Sequence, residues 1–466
     1  MTFTAPWNGS LRHIYNEGVQ SFHSKIASHT PYSPTPLNKQ ILHIAIPSII
    51  SNITVPLLAL ADTTITGHLG SAACIGAIAL GGMIFNMVYW LFGFLRMGTS
   101  GLTAQAHGTG NHTQAYHVLC RSLIVAGGVA LLLIVAQRPI FNIAFNFVRA
   151  TPEVKRLTSA YYHILIWGAP AVLGLYSFAG WFLGMQNAKA PMVIAIGQNI
   201  INIVASTLLV FGFAQGMAGV ATGTLLAQYV GLLAAIVIWQ KQYGKRLSSA
   251  IKWHEMCNMT QFKRFFAING DIFLRTLCLI AVTTYFTAAG SAQGNMVLAA
   301  NTLLMQFFIM FSYIMDGFAY AGESIGGHYY GARDLGSFSL LTRRLFTWGI
   351  TLSAAFTLTY AVAGRSLLAL LTDNTQVVAQ AINFMPYACA IPVVSFAAFL
   401  YDGLFIGTTS TKLMLASMAV ASACFFAIII LCPDGNVALW CAFLSYLGSR
   451  SLMQALLYRR VVKKIE

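Results

Sequence analysis

Charge is what this sequence has least of. Only 8% of its 466 residues are Asp, Glu, Lys or Arg, and only 12 are acidic, whereas a soluble chain carries about a quarter charged residues. The length alone would suggest two or three soluble domains. The charge deficit excludes them, together with 57% hydrophobic residues and a mean hydropathy of +0.69. No GxxxxGK[ST] loop is present, so ATP is not expected to drive the protein and an ion gradient is left as the energy source. The eight cysteines (74, 120, 257, 278, 389, 424, 432, 441) show no CxxC and no metal-ligand spacing. They read as small core residues of apolar spans. No HExxH or similar pairing is present, so no metal and no cofactor is expected. The first forty residues lack the basic and apolar regions of a signal peptide. With Pro31, Pro34 and Pro36 and several Ser and His they read as a cytoplasmic tail, with a transit peptide as the weaker alternative.

What is present is a series of twelve apolar spans, at about 41–67, 73–98, 118–137, 157–183, 190–213, 217–239, 264–289, 296–322, 343–363, 379–406, 413–431 and 436–457. Lipid offers no partner to an unpaired backbone group, so an open chain crosses it only as helices. The expected fold is therefore an all-α polytopic membrane protein of twelve transmembrane helices. The net charge of +15 invites a nucleic-acid reading. The basic residues, however, cluster between spans, as at Lys241, Lys245, Arg246, Lys252, Lys263 and Arg264, and at the C-terminus. Of the 27 Lys and Arg, only Arg138, Arg149, Lys155, Arg156 and Arg365 fall in the opposite loops. That asymmetry places both termini in the cytoplasm of a cell-membrane protein and needs no nucleic acid.

The chain also repeats itself. GLTAQAHG at 101–108 resembles GESIGGHYYG from Gly322, pairing His107 with His328 at an offset of 221. FLGMQNAK at 182–189 resembles FIGTTSTK at 405–412, pairing Gly184 with Gly407 at an offset of 223. Six spans in each half give both halves the same orientation, hence two pseudo-symmetric six-helix lobes about a central cleft. The expected organisation is a tail at 1–40, an N-lobe at 41–239, an inter-lobe loop at 240–263, a C-lobe at 264–457 and a basic tail at 458–466. This is the architecture of an alternating-access carrier. A membrane-embedded acyltransferase with His107 or His328 as base is the alternative from another class; the repeat and the lack of a nucleophile–base arrangement argue against it.

Five acids fall within or beside apolar spans: Asp62, Asp271, Asp316, Glu323 and Asp402. Asp271 and Arg275 are four apart on one helix face, which predicts an ion pair between them. The second-half cluster, with Asn269 and Asn301, reads equally as a structural network or as a cation site. Asp62 has no basic residue in a nearby span except Arg96 and Arg121 at helix ends. Desolvation favours the neutral form of a carboxyl group, so an unpaired acid in such a place can exchange a proton near neutral pH. Asn86, Tyr161, Tyr162, Gln198, Asn199, Asn202, Ser206 and Thr224 are the polar residues that could serve it. Pro47, Pro56 and Pro170 can kink their helices, as hinges or as packing bends. Met83, Met87, Met185 and Met192 could form an adaptable wall, although core packing is the expected role.

These residues resemble the multidrug and toxic compound extrusion (MATE) family, in its DNA-damage-inducible F (DinF-like) branch. The resemblance spans about residues 40 to 457 and is carried by LADTTITGHLG (60–70), FLRMGTSGLTAQAHG (94–108), INGDIFLRT (268–276), MDGFAYAGESIGGHYYGARD (315–334) and YDGLFIGTTSTK (401–412). It implies a two-lobed antiporter, not an enzyme, that expels organic and often cationic compounds in exchange for H⁺ or Na⁺. It assigns Asp62 as the proton site and Pro47 as the proline of the bending first helix. By spacing it places the surrounding polar residues at Tyr161, Asn202, Ser206 and Thr224. Ser206 departs from the pattern, because some relatives carry a second carboxylate there. Asp271, Arg275, Asp316, Glu323 and Asp402 fit the DinF-like second lobe. The expected partners are small organic molecules and the bilayer, with the chain a monomer. Na⁺ coupling through the second-lobe acids, and flipping of lipid-linked oligosaccharides, are the alternatives within transport.

Overall fold

The apolar runs fold as helices, and no strand occurs among the described residues of the computed structural model, which are 36–69, 71–147, 150–244, 258–432 and 435–465. Residues 1–35 of the expected tail, 245–257 of the expected inter-lobe loop (with Lys245, Arg246 and Lys252), and Arg149 lie outside them. The first half contains α1 (Leu37–Gly67), α2 (Ala72–Leu91), α3 (Phe94–Gly108), α4 (His112–Val135), α5 (Gln137–Phe147), α6 (Pro152–Leu165), α7 (Ala169–Gly184), α8 (Lys189–Thr207) and α9 (Gly216–Trp239). The second contains α10 (Met259–Ala292), α11 (Asn295–Gly331), α12 (Leu335–Leu371), α13 (Thr375–Gly407), α14 (Thr411–Leu431) and α15 (Gly435–Val462). Taking α2 with α3 and α6 with α7 as single spans, eleven stretches are long and apolar enough to cross a membrane among the described residues. The twelfth, α15, is 28 residues long and more polar, carrying Arg450, Arg459 and Arg460.

Local chemistry sets where the helices begin and break. Ser71, Asn111, Thr151, Asn258, Asp334 and Asn374 cap helices by accepting hydrogen bonds from backbone N–H groups of the first turn. Pro170 has no N–H to give to the carbonyl of Ile166, four residues earlier. The span accordingly narrows to a 3₁₀ turn at Ile166–Gly168 between α6 and α7. Pro47 and Pro56 in α1, like Pro386 and Pro392 in α13, leave their helices unbroken. Two features escape the apolar pattern. The second span is interrupted at Phe92 and Gly93, and α5 is an extra short helix between the third and fourth spans. Helices of 37 residues, such as α11 and α12, run to about 55 Å at 1.5 Å per residue. They outlast their apolar runs because polar turns continue the helix beyond the hydrocarbon.

From α3 to α7 the first half keeps one register with the second, an offset of 223. A Cβ added at Gly184 would lie 2.7 Å from the Ser100 carbonyl oxygen, and one at Gly407 would collide with that of Glu323. A Cβ at Gly108 would lie 2.8 Å from the His328 carbonyl carbon, and one at Gly331 would lie 2.9 Å from that of Gln105. Positive-φ residues repeat likewise, Gln186 with Thr409 and Gly110 with Arg333, as do the caps Asn111 and Asp334. The equivalence of His107 with His328 at offset 221 is therefore corrected: Gln105 is the mate of His328, and Gly108 of Gly331. Side-chain identity favoured the wrong register because the two helices share close backbone contacts rather than histidines. His107 and His328 do meet, with ring centroids 5.0 Å apart, but across the axis between the halves.

Residues 41–466 form one unit, in which each lobe has its own apolar core. The lobes meet where α11 packs on α3 and α7, and where α10 and α13 pack on α3. Ser324 Oγ donates to the Leu183 carbonyl at 2.5 Å, and Gln105 Nε2 donates to the Gly407 carbonyl at 2.9 Å. Towards the other ends of these helices the lobes separate around a cavity.

Candidate functional site

The cavity between the lobes has a volume of about 920 Å³. From the first lobe it is lined by Asp62, Tyr89, Tyr161, Tyr176 and Thr224, and from the second by Thr283, Thr284 and Tyr313. Asp62 projects from α1 near its C-terminal end and is only 7% exposed. Its Oδ1 has no hydrogen-bond partner, and no ion pair to it occurs among the described residues. The side chain of Asn202, from α8, interacts with the Asp62 carboxyl group, and Tyr161, from α6, feels its charge. Asn202 is fixed in turn, because its Nδ2 donates to Thr224 Oγ1 at 2.9 Å. Thr224 Oγ1 donates to the Val220 carbonyl at 3.0 Å. That arrangement leaves Asn202 Oδ1 unpaired. Two acceptor oxygens without donors thus lie in one buried site, and a proton on Asp62 would supply a donor.

Of the residues expected around Asp62, the structure gathers Tyr161, Asn202 and Thr224. The Tyr161 ring lies against Gly81 of α2, where a Cβ would stand 2.6 Å from it. Ser206 is placed differently. It is fully buried where α8 crosses α9, its Oγ donates to the Val220 carbonyl at 3.5 Å, and it does not line the cavity. A Cβ at Gly223 would stand 2.6 Å from the Ser206 nitrogen, so this crossing has no space to spare. Tyr162 is buried in the lobe core, stacked on Phe85 at 5.1 Å. Asn199 Nδ2 donates to the Thr54 carbonyl at 2.9 Å and ties α8 to α1. Pro47 is buried within α1 and away from the cavity lining. Met83 and Met87 line the cavity and are 51% and 60% exposed, which overturns the expected core role for these two.

The second-lobe acids are arranged quite differently. Asp402 Oδ2 binds both Arg275 and Arg450, and its Oδ1 accepts from Gln454 Nε2 at 2.5 Å. The expected Asp271–Arg275 pair is therefore corrected. Arg275 reaches across to α13, and Asp271 accepts from Thr411 Oγ1 at 2.7 Å. A carboxylate held from two helices by two arginines and a glutamine is a better use of buried charge than an i,i+4 pair along one helix. Glu323, 1% exposed on α11, pairs with Arg96 of α3 at 3.6 Å, so this ion pair joins the lobes. Arg96 also lies 4.3 Å from the Tyr320 ring centroid, and Asp316 feels its charge. Sequence reasoning missed Arg450 and Gln454 altogether and set Arg96 at a helix end. The four-residue spacing of Arg450 and Gln454 within the last span was the available signal. No cluster of three or more His, Cys, Asp or Glu able to hold a metal occurs among the described residues.

The family model MatE matches residues 47–208 and 272–432, one match in each half. The chain belongs to the multidrug and toxic compound extrusion family. It is 36% identical to DNA damage-inducible protein F of Escherichia coli (strain K12), over 91% of this chain and 93% of that protein. The crystal structure of a MATE in the bent conformation superposes with a TM-score of 0.81 at 18% identity, covering 92% of this chain and 96% of that one. The Vibrio cholerae MATE transporter VcmN in the bent form superposes with a TM-score of 0.80 at 16% identity, covering 92% and 98%. This MATE protein is thus a multi-pass membrane efflux transporter of the DinF-like type and not an enzyme.

Proposed function

We propose that this transporter exports organic cations and cationic amphiphiles in exchange for protons, by alternating access, with Asp62 as the coupling carboxylate. One observation carries the reading: Asp62 is the only acid lining the interlobe cavity among the described residues, and it has no basic partner there. A cation can neutralise it, and so can a proton, but each excludes the other. Aromatic faces at Tyr89, Trp90, Tyr161 and Tyr313 favour a flat or amphipathic cation. Met83 and Met87 favour tolerance of shape. With the chain in the cell membrane and both termini cytoplasmic, substrate binds deprotonated Asp62 from inside. An external proton then displaces it, bonding towards Asn202 Oδ1.

Sodium coupling through Asp402 is disfavoured by its partners, since an ion would have to displace two arginines and a glutamine. Flipping of a phosphate-bearing lipid is disfavoured because no Lys or Arg lines the cavity among the described residues. The test is binding of a fluorescent organic cation to the purified protein across pH. Wild type should bind more weakly as pH falls, and Asp62→Asn should bind weakly at every pH. Affinity that follows pH equally in both proteins would refute the assignment.

A further inference from the structure

At the end of the bundle where the lobes touch, a polar recess of about 280 Å³ lies apart from the cavity of Asp62 and shares no lining residue with it. Gln105 and Gln114 line it from the first lobe, and Arg264, Tyr330, Arg333 and Lys464 from the second. No acid lines the recess, and its three cations make no ion pair, among the described residues. Arg264 Nη2 donates to Gln105 Oε1 at 3.4 Å, a contact between neutral and charged groups that leaves the positive charge unbalanced. Asp334, beside Arg333 in sequence, is engaged elsewhere: its Oδ1 accepts from Ser337 N at 2.9 Å and caps α12.

The helix ends account for part of this charge, because α3 and α11 both finish here at Gly108 and Gly331 and present carbonyl groups. They do not account for Arg333. Its φ is +55°, a left-handed conformation that costs a residue with a Cβ, and its mate in the first half is Gly110 at φ +70°. An arginine stands where the repeat uses glycine, and its side chain lines the recess.

We propose that this recess binds a phosphate group, held between the lobes. Two guanidinium forks and an ammonium supply charge and directed donors, and the Tyr330 hydroxyl and the Gln114 amide supply neutral ones. The phosphate belongs either to an anionic lipid headgroup or to a free phosphate ion. Separating the lobes would carry Gln105 and Gln114 away from the three cations, so an occupied recess favours the arrangement in which this end is closed.

The test uses the full-length protein in detergent, with thermal unfolding and native mass spectrometry as readouts. The probes are inorganic phosphate and, separately, phosphatidylglycerol, with phosphatidylcholine as the control lipid. Wild type should gain stability saturably with one of the first two probes. A response to inorganic phosphate identifies a free ion, and a response confined to phosphatidylglycerol identifies a headgroup. The triple variant Arg264→Gln/Arg333→Gly/Lys464→Gln should weaken that binding by about tenfold or more. Arg333→Gly alone relieves the backbone, so it should unfold at the same or a higher temperature without ligand and still bind more weakly. Wild type that responds to neither probe, or variants that bind as tightly as wild type, would overturn the proposal. Because the recess and the Asp62 cavity share no residue, these outcomes are independent of the coupling mechanism.

Discussion

Asp62 in the first lobe and Asp402 in the second are almost equally buried, 7% and 6% exposed, yet their surroundings are opposite. Asp402 is clamped by Arg275, Arg450 and Gln454 from two helices of its own lobe. Asp62 has an amide beside it, an unpaired Oδ1 and a cavity in front of it. The helices around them differ in the same sense. In the second lobe α11 and α13 run unbroken for 37 and 33 residues. Their first-lobe mates are interrupted at Phe92–Gly93 and at Ile166–Gly168, and α8 ends in a π turn at Leu208–Gly212. One fold, used twice, thus gives a continuous lobe with a clamped carboxylate, Asp402, and an interrupted one in which the carboxylate facing the cavity, Asp62, has no basic partner among the described residues. Neutralising the same type of residue should therefore have opposite consequences in the two lobes.

The largest expected effect breaks the clamp on Asp402. Asp402→Ala leaves Arg275 and Arg450 buried without the carboxylate that binds them, a loss of about 3–5 kcal/mol. The fraction eluting as a monodisperse species from size exclusion should collapse, and an unfolding temperature equal to wild type would contradict the structural role. Next come the helix crossings that the repeat register defines. Gly108→Leu and Gly331→Leu each force a side chain into the opposing backbone and should cost about 1–3 kcal/mol by overpacking. Similar losses in the two variants would support the 223 offset, and a loss in only one would speak against it. Asn202→Ala removes the hydrogen bond to Thr224 and should cost about 1 kcal/mol of stability. Its sharper signature is a reduced pH dependence of substrate binding. The smallest effect on folding belongs to Met87→Ala, within about 0.5 kcal/mol because the side chain is exposed to the cavity. There the ranking of substrates should change while the unfolding temperature stays fixed.

The twelve spans and the duplication were legible because lipid imposes a long apolar run on each helix and the halves retain matching stretches. The isolation of Asp62 could also be read, since it needed only the absence of basic residues from the neighbouring spans. Partnerships between helices were not legible. Arg275 has Asp271 four residues away, and nothing in the order of residues says that α13 and α15 bring it Asp402 with Arg450 alongside. Arg96 reads as a helix-end charge until α3 is seen packed against α11, where it meets Glu323. The breaks near Gly93 and the short helix α5 were hidden for a related reason. Hydropathy reports how apolar a stretch is and not whether its backbone turns.

The central claim is that the unmet carboxylate of the first lobe couples transport to protons while the clamped one of the second holds the fold. The most direct measurement is efflux of an organic cation by proteoliposomes under an imposed ΔpH or ΔpNa, for wild type and Asp62→Asn. The mutant should also be checked for an unfolding temperature at or above that of wild type, because it replaces a buried acid that has an unpaired oxygen and no basic partner with a neutral amide. The account predicts transport driven by ΔpH alone and lost in a well-folded Asp62→Asn protein. Transport driven only by ΔpNa, or retained by the mutant, would contradict it.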